Sequence, residues 1–348
     1  MRGPSSILSL LLPILICRAP VLKAEEPALL RIAFGSCAKQ NEPQPIWDVI
    51  GHQNPDLFLF IGDCVYADTN VPEELQQALG NLAEIPEFAR FRERCSIYAT
   101  WDDHDFGLND SGGEHPQKKA AMGVFLDFFR VPMHSPLRNQ DGVYQVILKS
   151  TAGFRVQILL LDTRYNRSPL KSFMVAGHTL YVPNPDPTTT MLGEAQWNWL
   201  ESELAVPNMD VRILVSSIQV IPDDHPGEKW SNLPIERDRL LRLLDGASGT
   251  VVILSGDQHL AEFSELTLAS GAQLMEFTSS GLTHTRENIP AINQHRKGKP
   301  MVKKNFGIVD VRREDRFIQI DLKAVDENGL VGLVQQIKTS GSTIGAKE

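Results

Sequence analysis

The sequence predicts an α/β protein, and three observations predict it. Short apolar runs alternate with amphipathic stretches along most of the chain. Hydrophobic residues make up 42% and charged residues 22%, as in ordinary globular proteins, which excludes disordered, collagen-like and coiled-coil classes. No internal repeat or low-complexity tract interrupts the pattern. At 348 residues the chain has room for about two domains or for one large α/β domain, and no shift in composition divides it.

In chain order, the apolar runs read as strands at residues 30–34, 57–61, 97–101, 143–148, 156–161, 213–218, 251–254, 273–278, 307–312 and 317–322. Between them, amphipathic stretches read as helices at 46–51, 73–82, 118–129, 193–205 and 235–244. Trp197, Trp199 and Leu200 fall at helical spacing and read as core packing. Residues 168–190 are rich in Pro, Thr and Asn and lack periodicity, so they read as a long surface excursion, either overhanging a site or simply inserted. Toward the carboxyl terminus the pattern turns to strand alternation, with DENG at 326–329 as a hairpin signal.

The amino terminus carries Arg2, an apolar run from Ile7 to Ile16, and the small residue Ala24 ahead of polar chain. This is the outline of a secretory signal peptide at residues 1–24, leaving 25–348 as the mature domain and a secreted or periplasmic location. The run is shorter than a membrane span and is interrupted by Pro13, so no transmembrane anchor is expected. Removing Arg2, Arg18 and Lys23 takes the formal net charge from −9 to −12, a balance that argues against a nucleic-acid-binding module. The cysteines at 17, 37, 64 and 95 form no CxxC pair, and loss of the leader leaves an odd number, so a disulfide framework is not expected. The oligomeric state is not legible.

In an α/β sheet, ligands collect beyond the carboxyl ends of the strands. Here those positions hold Gly35-Ser36-Cys37, Gly62-Asp63 with Tyr66 and Asp68, Asp102-Asp103-His104-Asp105, Asp162-Thr163-Arg164 and Gly256-Asp257-Gln258-His259. Carboxylates packed this densely repel one another unless cations hold them. Asp and Asn oxygens suit a hard ion such as Ca²⁺, whereas His, thiolate and phenolate suit iron or zinc. Asp257 and His259, two apart, fall on one side of an extended strand and can share one centre. His284, after another strand, is a further residue whose reach to the site the sequence leaves open.

In order, GSCAKQ, GDCVYAD, WDDHDFGLND, LLLDTR and SGDQH resemble the alkaline phosphatase D family, the PhoD-like branch of the calcineurin-like metallophosphatases, over about residues 30–285. The resemblance implies a four-layer αββα sandwich of two mixed sheets flanked by helices, with ferric iron and calcium as cofactors; zinc or another divalent ion is the alternative. It implies metal ligands at Cys37, Asp63, Tyr66, Asp103, Asn109, Asp257 and His259, with Asp63 bridging and Asp102 competing with Asp103 for its place. It further implies that His104 contacts phosphate or protonates the leaving oxygen and that Arg164 holds a phosphate oxygen. Unlike better-known members, this chain leaves only a few residues between the expected leader and the first expected strand, so a preceding β-sandwich domain is not expected.

The resulting expectation is an exported metal-dependent phosphohydrolase in which a metal-bound hydroxide attacks the phosphorus of a phosphate-ester substrate, with monoester versus diester left open. The alternative is an exported, calcium-stabilised binding module without catalysis. A structural calcium site has no use for His104, His259, Arg164 and Cys37, which favours the enzyme.

Overall fold

The computed structural model describes residues 29–151, 153–286 and 292–340. The leader expected at residues 1–24 lies outside them. Two sheets lie face to face. In the first, β1 (Leu29–Gly35), β2 (Leu57–Ile61) and β3 (Ser96–Thr100) run parallel, and β1 also pairs antiparallel with a carboxyl-terminal meander. The second sheet has a parallel centre flanked by antiparallel edge strands.

Along the chain, β4 (Gln145–Ser150) and β5 (Arg155–Leu160) precede a hairpin, β6 (Ser172–Val175) and β7 (His178–Tyr181), which stands apart from both sheets. β8 (Val211–Ser216) and β9 (Thr250–Ser255) follow, then β10 (Ala261–Thr267), β11 (Gln273–Ser279) and β12 (Arg296–Met301). The meander is β13 (Asn305–Glu314), β14 (Phe317–Asp326) and β15 (Val331–Ser340). The strand orders are β15-β14-β13-β1-β2-β3 and β12-β10-β11-β9-β8-β5-β4.

The sequence of β2, LFLFI, shows why the layers form. With side chains alternating across the strand, Leu57, Leu59 and Ile61 enter the core between the sheets, packed with residues such as Ile158, Ile213 and Leu254. Phe58 and Phe60 point the other way into a helix layer built from α1 (Ile46–His52), α2 (Pro72–Glu84), α3 (Pro86–Arg92) and α5 (Lys118–Phe128), where Trp47 packs against both rings. A one-turn helix, α4 (Asp103–Phe106), precedes α5. On the outer face of the second sheet, α6 (Glu194–Leu204) and α7 (Pro234–Asp245) bury Trp197, Leu200, Leu240 and Leu244 against Leu159, Leu214 and Ile253. The expected four layers, helix, sheet, sheet, helix, are therefore what the chain builds.

Differences fall where local pattern is weak. The strands expected at 143–148 and 213–218 lie two residues away, at 145–150 and 211–216. The excursion at 168–190 contains β6 and β7, closed by Ala176 and Gly177, both at positive φ. Four further elements, α3, α4, β10 and β12, were not expected. Among the described residues no helix is long and apolar enough to cross a membrane.

Candidate active site

The strand ends converge because the backbone permits unusually close approach there. A Cβ on Gly62, at φ +109°, would stand 2.6 Å from that of Asp102, and one on Gly256 would stand 2.7 Å from the Ser36 hydroxyl. Six polar residues around these turns, Cys37, Asp63, Asp68, Asp110, Asp257 and His259, have left-handed φ between 49° and 65°. Left-handed non-glycine residues cost free energy and persist where the surroundings enforce them, commonly at functional sites.

Asp63 stands at the centre. Its Oδ2 lies 3.4 Å from Cys37 Sγ and 3.2 Å from the Tyr66 hydroxyl. That hydroxyl is also 3.2 Å from Nε2 of both His259 and His284. The ligand atoms of Cys37, Asp63 and His259 lie within 4.8 Å of one another, as do those of Asp63, Asp103 and His104, so Asp63 belongs to two adjacent three-residue groups. A third group joins Asp103 with Asp110 and Glu228. Asp63 Oδ1 is buried and has no hydrogen-bond partner. A buried carboxylate oxygen left unpaired costs free energy that a cation would offset. This orphaned oxygen, flanked by thiol, imidazole and phenol on one side and by carboxylate and imidazole on the other, fits a pair of neighbouring metal ions.

The electrostatics agree with that fit. Burial first, then the charges of Asp103 and Asp102, push the Asp63 carboxyl well above the usual range. Burial and Asp103 push Asp257 up to about 7, and burial with Asp63 raises the Cys37 thiol strongly. Burial depresses His259 to about 3 and His284 to about 4, keeping both rings neutral and able to donate lone pairs. Burial also opposes the charge on His104, but the 2.6 Å hydrogen bond that its Nδ1 donates to Asp68 and the charges of Asp63 and Asp103 outweigh it and raise that ring to about 10.

The three carboxylates of WDDHD divide their work. Asp103 faces the cluster, with its Oδ2 accepting from the Asp110 backbone N–H at 2.7 Å. Asp105 turns back into the chain and accepts from the backbone N–H groups of Cys64 at 2.8 Å and Asp102 at 2.7 Å. Asp102 accepts from Ser217 Oγ at 2.6 Å and pairs with Arg164. Between Asp102 and Asp103, it is Asp103 that belongs to the residue groups able to hold a metal ion.

Other expectations need correction. Arg164 is fully buried, and its guanidinium is held by Asp102, by Glu228 at 2.6 Å and by the Ser111 carbonyl at 3.3 Å, with Asp103 3.7 Å away. With its side chain fully buried and its charge faced by three carboxylates, the guanidinium is engaged within the chain. Asn109 is exposed, and the neighbour that joins the buried group is Asp110. Nor are Asp257 and His259 carried on an extended strand, since both are left-handed; His259 joins the Cys37 and Asp63 group, while Asp257 Oδ2 accepts from Gln258 Nε2 at 2.6 Å.

His284, five residues past β11, meets the Tyr66 hydroxyl; the sequence leaves its reach open. Glu228 was missed because it arrives on the loop after β8, next to no apolar run. Asp68, the last residue of GDCVYAD, was gathered with the strand-end carboxylates but given no role; its carboxylate meets His104 Nδ1 at 2.6 Å. The cysteines Cys37, Cys64 and Cys95 are all buried and free, where the odd count required only one to be unpaired.

A family model described as PhoD-like phosphatase matches residues 77–324, a span that begins after the Cys37 and Asp63 motifs. Among solved structures, one titled as the structure of PhoD superposes with TM-score 0.70 at 17% identity, covering 93% of this chain and 73% of that one. A purple acid phosphatase, PPD1, from yellow lupin (Lupinus luteus) seeds superposes with TM-score 0.57 at 13% identity, covering 91% of this chain and 55% of that one. Identities this low speak for the fold alone. A search of curated protein sequences returns no match.

Proposed function

Because the chain belongs to the PhoD-like phosphatase family, whose members imply divalent metal ions, we propose that it is an exported phosphohydrolase with iron and calcium as its metals and phosphate esters as substrates. The observation that carries the reading is Asp63, shared by two adjacent donor groups with one buried oxygen unpaired. Its amino-terminal leader pattern supports export.

Cys37, His259, Tyr66 and Asp63 would hold the softer ion, and Asp63, Asp103 and the neighbouring carboxylates the harder one. When bound, the ions supply an electrophile for the phosphoryl oxygens and an activated water. In hydrolysis the water oxygen bonds to phosphorus, the bond from phosphorus to the alcohol oxygen breaks, and that oxygen takes up a proton. His104 is placed for the last step: its side chain is 17% exposed at the rim of the cluster, with Asp68 on Nδ1 leaving Nε2 free to face substrate. Arg164 fixes Asp102 and restrains Asp103, so it serves as a positioning residue. Asp257, whose carboxyl feels the charge of Asp103, is a further candidate oxygen donor.

The test is turnover of a chromogenic phosphate monoester and the matching diester by residues 25–348, with chelator and then with iron and calcium restored. Metal-dependent turnover supports the reading, and its monoester-to-diester ratio assigns the substrate class. Folded, metal-loaded protein that turns over neither ester overturns it in favour of a binding module.

A further inference from the structure

The three carboxylates of the third donor group sit on different parts of the chain. Asp103 opens the one-turn helix α4, Asp110 lies in the loop that follows it, and Glu228 lies in the loop after β8, yet their ligand atoms come within 4.8 Å of one another. Like charges that close repel, and loops resist repulsion less than sheets do. Asp110 and Glu228 therefore need partners that hold them toward Asp103.

Two side chains bridge these two loops. The buried Arg167 donates through Nη2 to the Asp110 carbonyl at 2.6 Å and meets Glu228 Oε1 at 3.0 Å. The second bridge is Tyr181, the last residue of β7. Its hydroxyl donates to Asp110 Oδ2 at 2.6 Å, and its backbone N–H donates to the carbonyl of Pro226 at 2.9 Å, two residues ahead of Glu228. Asp110 is left-handed, at φ +60°, a conformation that persists where the surroundings enforce it. Because its backbone N–H donates to Asp103 Oδ2 at 2.7 Å, whatever fixes Asp110 also restrains Asp103.

The hairpin is built to deliver that hydroxyl. Residues 171–179 are exposed, and the chain turns inward only at Leu180 and Tyr181. Backbone bonds from Val182 to Lys171 at 3.0 Å and from Asn184 to Asn232 at 2.8 Å tie down its root. We propose that Tyr181 is a positioning residue, through which the β6–β7 hairpin sets the group of Asp103, Asp110 and Glu228 to receive the harder ion. The inference rests on the metal-cluster reading given above. A phenol donating to Oδ2 fixes the plane of the Asp110 carboxylate and favours its charged form, both of which a hard cation requires. Among the described residues no hydrogen bond joins Tyr181 to Cys37, Asp63 or His259, so the softer ion should not sense its loss.

The experiment compares wild type with Tyr181→Phe, with Asp110→Gly, which suits the left-handed backbone, and with the double variant. Calorimetric titration of calcium into iron-loaded protein should show about tenfold weaker binding in Tyr181→Phe, the usual effect of losing a hydrogen-bond partner behind a ligand, with iron content unchanged. In turnover of phenyl phosphate the calcium concentration for half-maximal rate should rise by the same factor, while kcat and KM at saturating calcium stay within about twofold of wild type. In the Asp110→Gly background, Tyr181→Phe should weaken calcium binding by less than about twofold more. Unchanged calcium affinity, equal loss of both metals, or a raised KM for the ester at saturating calcium would overturn the proposal, the last by placing Tyr181 on the substrate. If wild type binds no metal and hydrolyses no ester, the cluster reading has failed, and amide exchange in metal-free protein decides instead. Faster exchange at the Asp110 amide in Tyr181→Phe supports the positioning role; equal exchange overturns it.

Discussion

Arg164 and Asp102 form an enclosed ion pair: Nε lies 2.6 Å and Nη2 2.5 Å from the same carboxylate oxygen, with the two side chains 0% and 1% exposed. Glu228 closes the other side, bridging Arg164 at 2.6 Å and Arg167 at 3.0 Å. Removing the guanidinium leaves Asp102 buried without its counter-charge and Glu228 with Arg167 alone. Arg164→Met should therefore lower unfolding stability by about 3–5 kcal/mol, as broken buried pairs do. Urea unfolding checks this, and a variant as stable as wild type would show that the network does not carry charge in the folded protein.

His104 gives a pH prediction. Its folded value is raised from 6.5 to about 10, with burial opposing and the Asp68 hydrogen bond and nearby carboxylates prevailing. The stabilisation is thus fully present below the unfolded value and is lost as pH rises through the folded one. Asp68→Asn removes the principal supporting partner. In metal-free protein it should narrow the stability difference between neutral and strongly alkaline pH, and in the loaded enzyme it should move the alkaline limb of the rate profile toward lower pH. A limb that stays in place would remove His104 from the proton step.

Asp310 behaves in the opposite sense. Although burial raises its value, hydrogen bonds from Arg31 at 2.6 Å and Lys323 at 2.8 Å outweigh that and hold the carboxyl below its ordinary 3.8. Its contribution is present above the ordinary value and is lost as pH falls through the folded one. Asp310→Asn should be less stable than wild type at neutral pH, and the gap should close on acidification below about pH 4. Thermal melts across that range measure it; a gap that stays constant contradicts the pairing.

Gly62 is the backbone counterpart. A methyl there meets Asp102 Cβ at 2.6 Å at a φ of +109°, so Gly62→Ala must displace the Asp63 turn or the Asp102 segment. The expected cost is about 1–3 kcal/mol with a loss of metal retention, read by melting and by elemental analysis. A variant that matches wild type in both would show that the turn is not tightly fixed.

Much of this arrangement is legible in local pattern. LFLFI in β2 reveals a strand buried on both faces, and the polar residues just after each apolar run identify the edge where Cys37, Asp63, Asp103 and His259 meet. Elements defined by their partners are harder to read. β12, RKGKPM, carries Gly and Pro and has no strand propensity; it forms because β10 pairs with it and because Lys297 meets Glu265 at 2.6 Å. In the same way, β10 hides its strand character behind Glu262 and Ser264, whose burial is made tolerable by Gln219 and Asn293. Side-chain direction is also tertiary information. Composition could not say that Arg164 turns inward to Asp102, that Asp110 rather than Asn109 joins the buried group, or that Glu228 arrives from a loop.

The central claim is that Asp63 is shared by two cation positions, and the most direct test is the metal content of Asp63→Asn. The substitution keeps the side chain's shape and removes its charge. The account predicts a folded protein that retains far less bound metal than wild type and loses phosphate-ester turnover by roughly a hundredfold or more. Wild-type metal content and turnover in that variant would contradict it.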